Sequence, residues 1–417
     1  MERLDTATRP TRRPWTLRAT SPRPAPAPLP AGHPLAWLDR AAERRASAGL
    51  TRRTVPRSSS DDLLDLAGND YLGLMRHPAV LAAAADAVHT WGAGAGGSRL
   101  VTGDTELHAE LERELAEFHG AEAALVFSSG YAANLAMVAS LVAPAPDDVE
   151  PPLVVCDQYN HASLIDATRL ARAAGARVAV FRHRDTDHAA ELLSEGRGRR
   201  LLLSDTVFSV DGDLTDVTAL AEAARGHQAA LLLDDAHGLG VLGRGGRGAV
   251  GGTALGAADD VVVSVTLSKS LGAQGGAVLG SRRVIRHLVE TARTFVFDTG
   301  LAPASVGAAL AALRVLRAEP WRAGTVRARA RELAEGLRER GLEVSQPDAA
   351  VVSVLARSPQ EALAWRTACH EAGVRVGCFR PPSVPDGRSR LRLTTRATLD
   401  KTGIRRVLDV IETNRPG

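Results

Sequence analysis

The chain has few cysteines and almost no lysine, and none of its apolar runs is long. Its 417 residues include three cysteines, Cys156, Cys369 and Cys378, whose scattered spacing gives no disulfide or metal pattern and is typical of a reduced cytoplasm. No apolar run reaches the roughly 20 residues that span a bilayer, and none resembles a signal peptide. A net charge of +3 does not favour nucleic acid as a partner. The sequence thus predicts a cytoplasmic protein with no metal, membrane or nucleic-acid partner.

Lysine is the scarcest charged residue. Arginine and lysine together number 51, but lysine stands only at Lys269 and Lys401. Arginine can replace lysine wherever any cation suffices, whereas lysine can lose its proton and attack a carbonyl carbon. Lys401 lies in a polar helical segment, while Lys269 follows a strand predicted to be buried. Lys269 is therefore the candidate nucleophile.

Short apolar runs alternate with helical patterns from residue 153 onward. Val- and Leu-rich runs of this kind are typical of parallel strands buried on both faces, and the alternation indicates an open α/β sheet. After residue 300, helices with short strands predict a smaller α+β domain. A helix is predicted over Leu35–Ala48, and the Pro- and Arg-rich beginning predicts a disordered extension, with a transit peptide as the alternative. The predicted divisions are a disordered extension 1–32, an N-terminal arm 33–80, a large domain 81–300 and a small domain 301–417.

Polar side chains follow four of the predicted strands. In open α/β sheets, ligands bind beyond the carboxyl ends of the strands. The residues that stand at these ends are Asp157, Asn160, His161, Asp205, Ser209, Asp234, Asp235, His237, Thr266, Ser268 and Lys269. Together they suit a cationic heteroaromatic ring that bears a phosphate.

Pyridoxal phosphate has the chemistry that this set would bind. Its aldehyde requires a lysine, its ring nitrogen a carboxylate and its phosphate a group of anion-binding donors. Asp234 is the candidate partner of the ring nitrogen, and His237 is within reach of the phenolic oxygen. The Ser/Gly turn at Gly130 opens a predicted helix whose free amide groups favour phosphate. Each residue also has an ordinary structural alternative, as a turn aspartate, a packed histidine or a helix cap.

Two glycine patterns offer a nicotinamide-binding alternative. The pattern in Gly92–Gly97 has the dinucleotide spacing but follows a helical stretch, whereas the fingerprint follows a strand. The pattern in Gly238–Gly243 does follow a strand, but no helical pattern comes after it. A P-loop is excluded because neither lysine follows a glycine.

Eight motifs, taken in order, resemble the α-oxoamine synthases, a group of fold-type I pyridoxal-phosphate enzymes. They are NDYLGL (69–74), GSRLVTGDTELHAELE (97–112), SSGYAAN (128–134), NHASLIDA (160–167), DTVFSVDGD (205–213), DDAHGLGVLG (234–243), TLSKSLGAQGG (266–276) and RPPSVP (380–385). The resemblance covers residues 34–417. It implies an α/β fold in which helices flank a mostly parallel central sheet, followed by a smaller C-terminal α+β domain.

The resemblance also implies roles for single residues. Lys269 resembles the Schiff-base lysine, Asp234 the partner of the pyridinium nitrogen and His237 the ligand of the phenolic oxygen. His161 resembles the histidine that stacks on the cofactor ring and contacts the substrate. Further cofactor contacts are implied for Gly130, Tyr131, Ser209, Thr266 and, from a second subunit, Thr299. Substrate contacts are implied for Arg52 (or its neighbour Arg53), Asn69, Ser383 and Arg392.

The implied reaction is an acyl transfer of biotin biosynthesis. It joins L-alanine to a pimeloyl thioester of coenzyme A or of a carrier protein, with loss of carbon dioxide. Because the family's sites are shared between subunits, the resemblance implies a homodimer. The alternatives are another enzyme of the group, such as one that joins glycine to an acetyl group, and a catalytically silent subunit. Intact Lys269, Asp234 and His237 argue against the silent subunit.

Overall fold

The computed structural model describes residues 27–30, 32–143, 145, 148–384 and 386–417. Contacts within the chain define two compact units, Met1–Thr54 and Val55–Gly417. In the first unit, helix α1 occupies Trp37–Ser47, which confirms the predicted helix. The predicted disordered extension lies mostly outside the described residues, and the domain boundaries given above stay predictions.

The second unit contains eleven strands in two sheets across the described residues. Its strands are β1 (Leu64–Leu66), β2 (Ala123–Phe127), β3 (Leu153–Asp157), β4 (Arg177–Phe181), β5 (Arg200–Asp205), β6 (Ala229–Asp234), β7 (Val261–Thr266), β8 (Gly276–Gly280), β9 (Val351–Leu355), β10 (Val374–Phe379) and β11 (Arg390–Thr394). Its helices are α2 (Pro78–Trp91), α3 (Glu106–His119), α4 (Gly130–Val142), α5 (Ala162–Ala173), α6 (Thr186–Ser194), α7 (Val217–Gly226), α8 (Arg282–Thr291), α9 (Arg293–Val296), α10 (Pro303–Ala318), α11 (Trp321–Glu339), α12 (Pro359–Glu371) and α13 (Lys401–Thr413).

The larger sheet has seven strands in the order β2-β8-β7-β6-β5-β3-β4, and only β8 runs antiparallel to its neighbours. Alternate residues of a strand face opposite sides. Leu202 of β5 belongs to the core layer of α3, α6, α7 and α10, whereas Leu203 belongs to the layer of α4, α5 and α8. Helices therefore cover both faces, which explains why the strands read as continuous apolar runs.

The smaller sheet has four strands in the order β1-β10-β11-β9. Strand β1 precedes all strands of the large sheet in the chain. It pairs in parallel with β10, so that Leu64 lies opposite Val374. Strands β1, β2 and β10 were not recognised in the sequence. Strand β1 has only three residues and its partner is remote in the chain, so no local pattern marks it. Within the described residues, no helix combines the length and the apolar character needed to cross a membrane.

Candidate functional site

The carboxyl ends of β5, β6 and β7 lie side by side at one edge of the large sheet. The strand register places Asp205 opposite Asp234, and Asp234 opposite Ser264. Lys269 follows β7 after a turn, and its Nζ lies 2.8 Å from Nε2 of His237. The structure thus brings together the strand-end residues that the sequence singled out. No group of three or more His, Cys, Asp or Glu side chains in the described chain is arranged to hold a metal.

Lys269 stands in surroundings that favour its neutral amine. Burial lowers its pKa to about 8, and the positive charge of Arg392 acts in the same direction. The carboxylates of Asp234 and Asp205 oppose this shift without cancelling it. An amine with such a pKa is partly unprotonated near neutral pH, as a nucleophile or a general base must be.

His237 is neutral and is hydrogen-bonded through both of its ring nitrogens. Burial lowers its pKa well below the usual range, and the nearby charges of Lys269 and Arg392 lower it further. The Tyr71 hydroxyl donates to Oδ1 of Asn69 at 3.1 Å and lies 2.6 Å from Nδ1 of His237. The hydroxyl of Tyr71 therefore joins His237 to Asn69 in one buried chain of hydrogen bonds. Nε2 forms the hydrogen bond to the Lys269 amine on the opposite side of the ring.

Two buried arginines on β11 differ in their partners. Arg390 pairs with the carboxylates of Asp211 and Asp386. Arg392 is 4% exposed, yet its Nε donates to the carbonyl oxygen of Ser209 at 2.6 Å, and its Nη1 and Nη2 donate to Oδ1 of Asn69 at 3.2 and 3.3 Å. No carboxylate of the described residues forms an ion pair with Arg392. A buried guanidinium in this condition favours an anionic ligand.

Asp234 is 4% exposed and is held by hydrogen bonds to both carboxylate oxygens. Its Oδ2 accepts from Nδ2 of Asn134 at 2.6 Å, and its Oδ1 accepts from the Ala236 amide at 2.9 Å. Asn134 in turn accepts from Oγ of Ser264 at 2.5 Å and donates to Oγ of Ser163 at 2.8 Å. These bonds fix the orientation of the carboxylate.

The neighbouring Asp235 has a structural role. It accepts from the Thr206 hydroxyl and, at 3.0 Å, from the Ala249 amide, and burial raises its pKa to about 7. It fits against Gly248, which has φ of 101° and where a Cβ would lie 2.1 Å from Oδ2 of Asp235. Asp235 therefore ties the chain after β6 to the loop that follows Gly238–Gly243. That glycine segment leads into turns and a short 3-10 helix, Arg244–Gly246, and not into the helix of a dinucleotide site.

His161 and Asp205 form a second pair of titratable groups. The His161 amide donates to Oδ2 of Asp205 at 2.8 Å, and Nδ1 of His161 lies 2.7 Å from Oγ of Ser163. Reduced hydration lowers the pKa of His161, with Asp234 opposing the shift and Lys269 supporting it. Burial, followed by the charge of Asp234, raises the pKa of Asp205 well above the usual range. The backbone of His161 is therefore held by Asp205, and its imidazole ring is neutral.

The beginning of α4 supplies anion-binding donors. Ser129 caps the helix by accepting from the Ala132 amide at 3.0 Å, which leaves the amides of Gly130 and Tyr131 outside the hydrogen bonds of the helix. A Cβ at Gly276 would lie 2.5 Å from Cα of Gly130, so the two backbones approach closely because Gly276 has no side chain, and a Cβ at Gly130 would lie 3.2 Å from Cβ of Thr266. Thr266 lies beside them and accepts from the Ser268 amide at 3.4 Å. A helix N-terminus with these hydroxyl neighbours suits a phosphate.

The four remaining predicted residues are exposed. Tyr131 is 42% exposed, and its hydroxyl donates to Asp166. Thr299 is exposed on a segment that forms a β-bridge with Ser98. Ser383 is exposed in the loop between β10 and β11, and Arg52 belongs to the first unit. The roles given to these four residues, like those of the other predicted site residues, stay predictions.

Two buried residues of the site were missed in the sequence. Tyr71 is 1% exposed and Asn134 is 3% exposed. Both stand inside motifs that the resemblance rests on, NDYLGL and SSGYAAN, and this was the one signal that marked them. The residues present fit pyridoxal phosphate, because a low-pKa lysine, a fixed carboxylate and an anion-binding helix end lie around the same strand ends.

Comparisons with known proteins agree with this geometry. The family model for aminotransferase class I and II matches residues 61–411. The 8-amino-7-oxononanoate synthase of Mycobacterium avium is 55% identical over 379 residues, which cover 90% of this chain and 96% of that protein.

Solved structures also match over most of the chain. A high-resolution structure of SPT with a PLP internal aldimine has a TM-score of 0.82 at 26% identity and covers 91% of this chain and 97% of that one. The 8-amino-7-oxononanoate synthase of Francisella tularensis has a TM-score of 0.69 at 25% identity, with coverages of 84% and 97%. These matches confirm the fold-type I architecture and the pyridoxal-phosphate cofactor that the sequence predicted. The chain belongs to the aminotransferase class I and II family of pyridoxal-phosphate enzymes and, within it, to the 8-amino-7-oxononanoate synthases.

Proposed function

We propose that this chain condenses L-alanine with a pimeloyl thioester of coenzyme A or of a carrier protein. The products are 8-amino-7-oxononanoate, carbon dioxide and the free thiol, and the reaction is a step of biotin biosynthesis. The product named for the relatives has a chain of nine carbons. The seven carbons of the pimeloyl group and the Cα and Cβ of alanine account for all nine once the alanine carboxylate has left as carbon dioxide.

The unpaired Arg392 is the observation that carries the amino-acid part of this proposal. Its guanidinium is buried and, among the described residues, donates to neutral oxygens of Ser209 and Asn69 and forms no ion pair with a carboxylate. A carboxylate gives a planar partner for such a fork and neutralises its charge. The α-carboxylate of alanine would thus bind close to Lys269, whose pKa the charge of Arg392 lowers.

Each neighbouring residue then has a defined task. Bound pyridoxal phosphate supplies a carbonyl carbon for attachment of the amino group and a ring that withdraws electrons from Cα. Asp234, fixed by Asn134, holds the proton at the ring nitrogen. Lys269 forms the covalent link to the cofactor and, as a free amine, removes the Cα proton.

The two histidines act as neutral groups. His237 is hydrogen-bonded to the Lys269 amine through Nε2 and so keeps the lysine oriented when the amine is free. His161 has an accessible ring beside the same strand ends, where it can cover the cofactor and exclude water from one face. Its lowered pKa keeps the ring uncharged at neutral pH.

A homodimer is also part of the proposal. Large apolar side chains are exposed near Thr299, with Phe297 70% and Val101 77% accessible, and the Ser98–Thr299 bridge joins their two segments. An exposed apolar cluster of this kind favours an interface, which would bring Thr299 to the partner's site. Analytical ultracentrifugation should give a dimer, and an active monomer would contradict the proposal.

The proposal includes a cytoplasmic location, which the scattered spacing of the three cysteines supports.

A product assay tests the reaction directly. Purified holoenzyme is given a panel of amino acids and acyl thioesters, and products are identified by mass spectrometry. We expect the alanine and pimeloyl pair to have the highest kcat/KM. A higher value for glycine with an acetyl thioester would assign the enzyme to another reaction of the same group.

A further inference from the structure

A histidine outside the described site lies between two carboxylates. Nδ1 of His183 is 3.0 Å from Oδ1 of Asp157, and Nε2 is 2.9 Å from Oδ2 of Asp213. A neutral imidazole donates from one nitrogen only, so two carboxylate acceptors on opposite sides select the doubly protonated ring. One imidazolium thus joins the end of β3, the segment after β4 and the loop between β5 and α7.

Aromatic rings from the same loops hold the imidazole in place. Tyr159 stacks on His183 with 4.2 Å between ring centroids and 19° between planes, and Phe208 meets it edge-on at 4.3 Å. Oδ1 of Asp157 also accepts from the Tyr159 amide at 2.7 Å. The ring is therefore fixed by hydrogen bonds in its plane and by packing on its face and edge.

Both loops lead directly into the catalytic site. Tyr159 stands two residues before His161, and Phe208 stands immediately before Ser209, whose carbonyl oxygen accepts from Arg392 at 2.6 Å. The Phe208 amide donates to the carbonyl oxygen of Asp213 at 3.0 Å, which closes the second loop on itself. A displacement at His183 would therefore reach both His161 and the carbonyl group that orients Arg392.

We infer that His183 is a positioning residue, an imidazolium between Asp157 and Asp213 that holds the His161 loop and the Ser209 loop at a fixed separation. The inference rests on the proposed function for the tasks of His161 and Arg392. His183 itself touches neither the cofactor site nor Arg392 in any contact of the described residues. Its effect passes through the two loops.

The charges around His183 agree with this role. Burial acts to lower its pKa, but the hydrogen bonds and charges of Asp157 and Asp213 outweigh burial and raise the pKa to about 9. Tyr159 faces the ring, and Nη1 of Arg184 lies 3.6 Å from Oδ2 of Asp213. Because the pKa is raised above its ordinary value of 6.5, the stability that the protonated ring contributes is fully present below pH 6.5 and is lost as the pH rises through about 9.

The first measurement is a titration of the folded holoenzyme by NMR. The histidine Cε1 positions are labelled with carbon-13, and the His183 signal is assigned from its loss in His183→Asn. We expect a protonated His183 at pH 7.5 with a midpoint near 9. A His183 that is neutral at pH 7.5 would overturn the inference.

The second measurement compares variants by hydrogen exchange and kinetics. In His183→Asn, we expect amides of residues 157–161 and 205–213 to exchange at least about 10-fold faster and KM for alanine to rise about 10-fold or more, because small displacements of positioning groups have large effects. Asp213→Asn keeps a hydrogen-bonding side chain but removes one charge, so its effects should be intermediate. His227→Gln is the control, because its half-buried side chain forms no hydrogen bond within the described residues.

The outcomes separate this inference from the proposed function. Exchange and titration use no substrate, so an enzyme with a different amino acid or thioester would still show them. Unchanged exchange in both loops together with an unchanged KM would refute the positioning role. A uniform loss of protection over the whole chain would also refute it, since that result indicates general destabilisation. If His183→Asn does not fold, the wild-type titration and Asp213→Asn decide the matter.

Discussion

Replacing Lys269 by arginine keeps a positive charge and similar length while removing the reactive amine. The guanidinium stays protonated in proteins, so it neither attacks a carbonyl carbon nor removes a proton. We expect Lys269→Arg to lose both covalent attachment of the cofactor and product formation. A lysine that served only to bind phosphate would tolerate the exchange with a modest loss.

The size of the effect follows from the pKa of Lys269. At pH 7, a pKa of about 8 leaves about 9% of the amine neutral, whereas an ordinary lysine with a pKa of about 10.4 leaves about 0.04%. Arginine, with a pKa above about 12.5, leaves less than about one part in 10⁵. The substitution therefore reduces the neutral population at least about 10⁴-fold, and activity should fall by at least that factor.

Because the chain has only two lysines, peptide mapping can identify the lysine that carries the cofactor. Borohydride reduction of the holoenzyme fixes the cofactor to the lysine that carries it, and trypsin then fails to cleave there. Arginines at 247 and 282 bound the segment, so attachment at Lys269 should give one uncleaved peptide spanning 248–282 with the added mass of the reduced cofactor. The unreduced enzyme should give two peptides that separate after Lys269.

Lys401→Arg is the matched control. Lys401 is exposed at the beginning of α13, so this variant should keep the modified 248–282 peptide and normal turnover. Reduced cofactor on Lys401, or on no lysine, would refute the assignment of Lys269. Residual turnover of Lys269→Arg within about 100-fold of wild type would refute it as well, because the neutral population predicts a much larger loss.

Three further predictions follow from buried groups. Asp234→Asn should still bind the cofactor but lose most turnover, since the ring nitrogen loses its anionic partner; near-normal kcat would move this role elsewhere. Arg392→Lys should raise KM for alanine about 10- to 100-fold, from loss of a bidentate bond, with little change in KM for the thioester; equal changes would mean the arginine is misassigned. Burial lowers the pKa of His119 to about 4. The unfolded state therefore binds its proton first, and stability should fall by up to about 3 kcal/mol between pH 6.5 and 4. His119→Met should flatten this part of a chemical-denaturation profile, and an unchanged slope would contradict the reasoning.

The strand ends of the site could be predicted because strands that are buried on both faces of a sheet have continuous apolar sequences. The runs before Asp234 and Lys269 are continuous and apolar, and the rule that ligands bind beyond parallel strands then located the candidate residues. The sequence named Asp234 as the partner of the ring nitrogen, and the structure shows what its neighbour Asp235 contacts. Successive residues at a strand end point in opposite directions, and Asp235 points to Thr206 and Ala249.

The hydrogen bonds that orient the site could not be predicted from local patterns. Tyr71 and His237 are 166 residues apart in the chain, and Asn134 and Asp234 are 100 apart. Neither spacing corresponds to a helix or strand period, so periodicity gives no information about such pairs. The motifs marked the neighbourhood of Tyr71 and Asn134, and the fold alone decided what each of them contacts.

The short strand β1 makes completion of the substrate site a late event in protein synthesis. Leu66 accepts at its carbonyl from Thr394 at 2.9 Å, and Asn69, which orients Arg392, follows three residues later. Residues 64–69 leave the ribosome long before β10 and β11 are synthesised. Until then, the backbone groups of this segment lack their partners on those strands. Such long-range closure is slow relative to local folding. A nascent chain can therefore assemble the large sheet around Lys269 before Arg392 is in place to hold an amino acid.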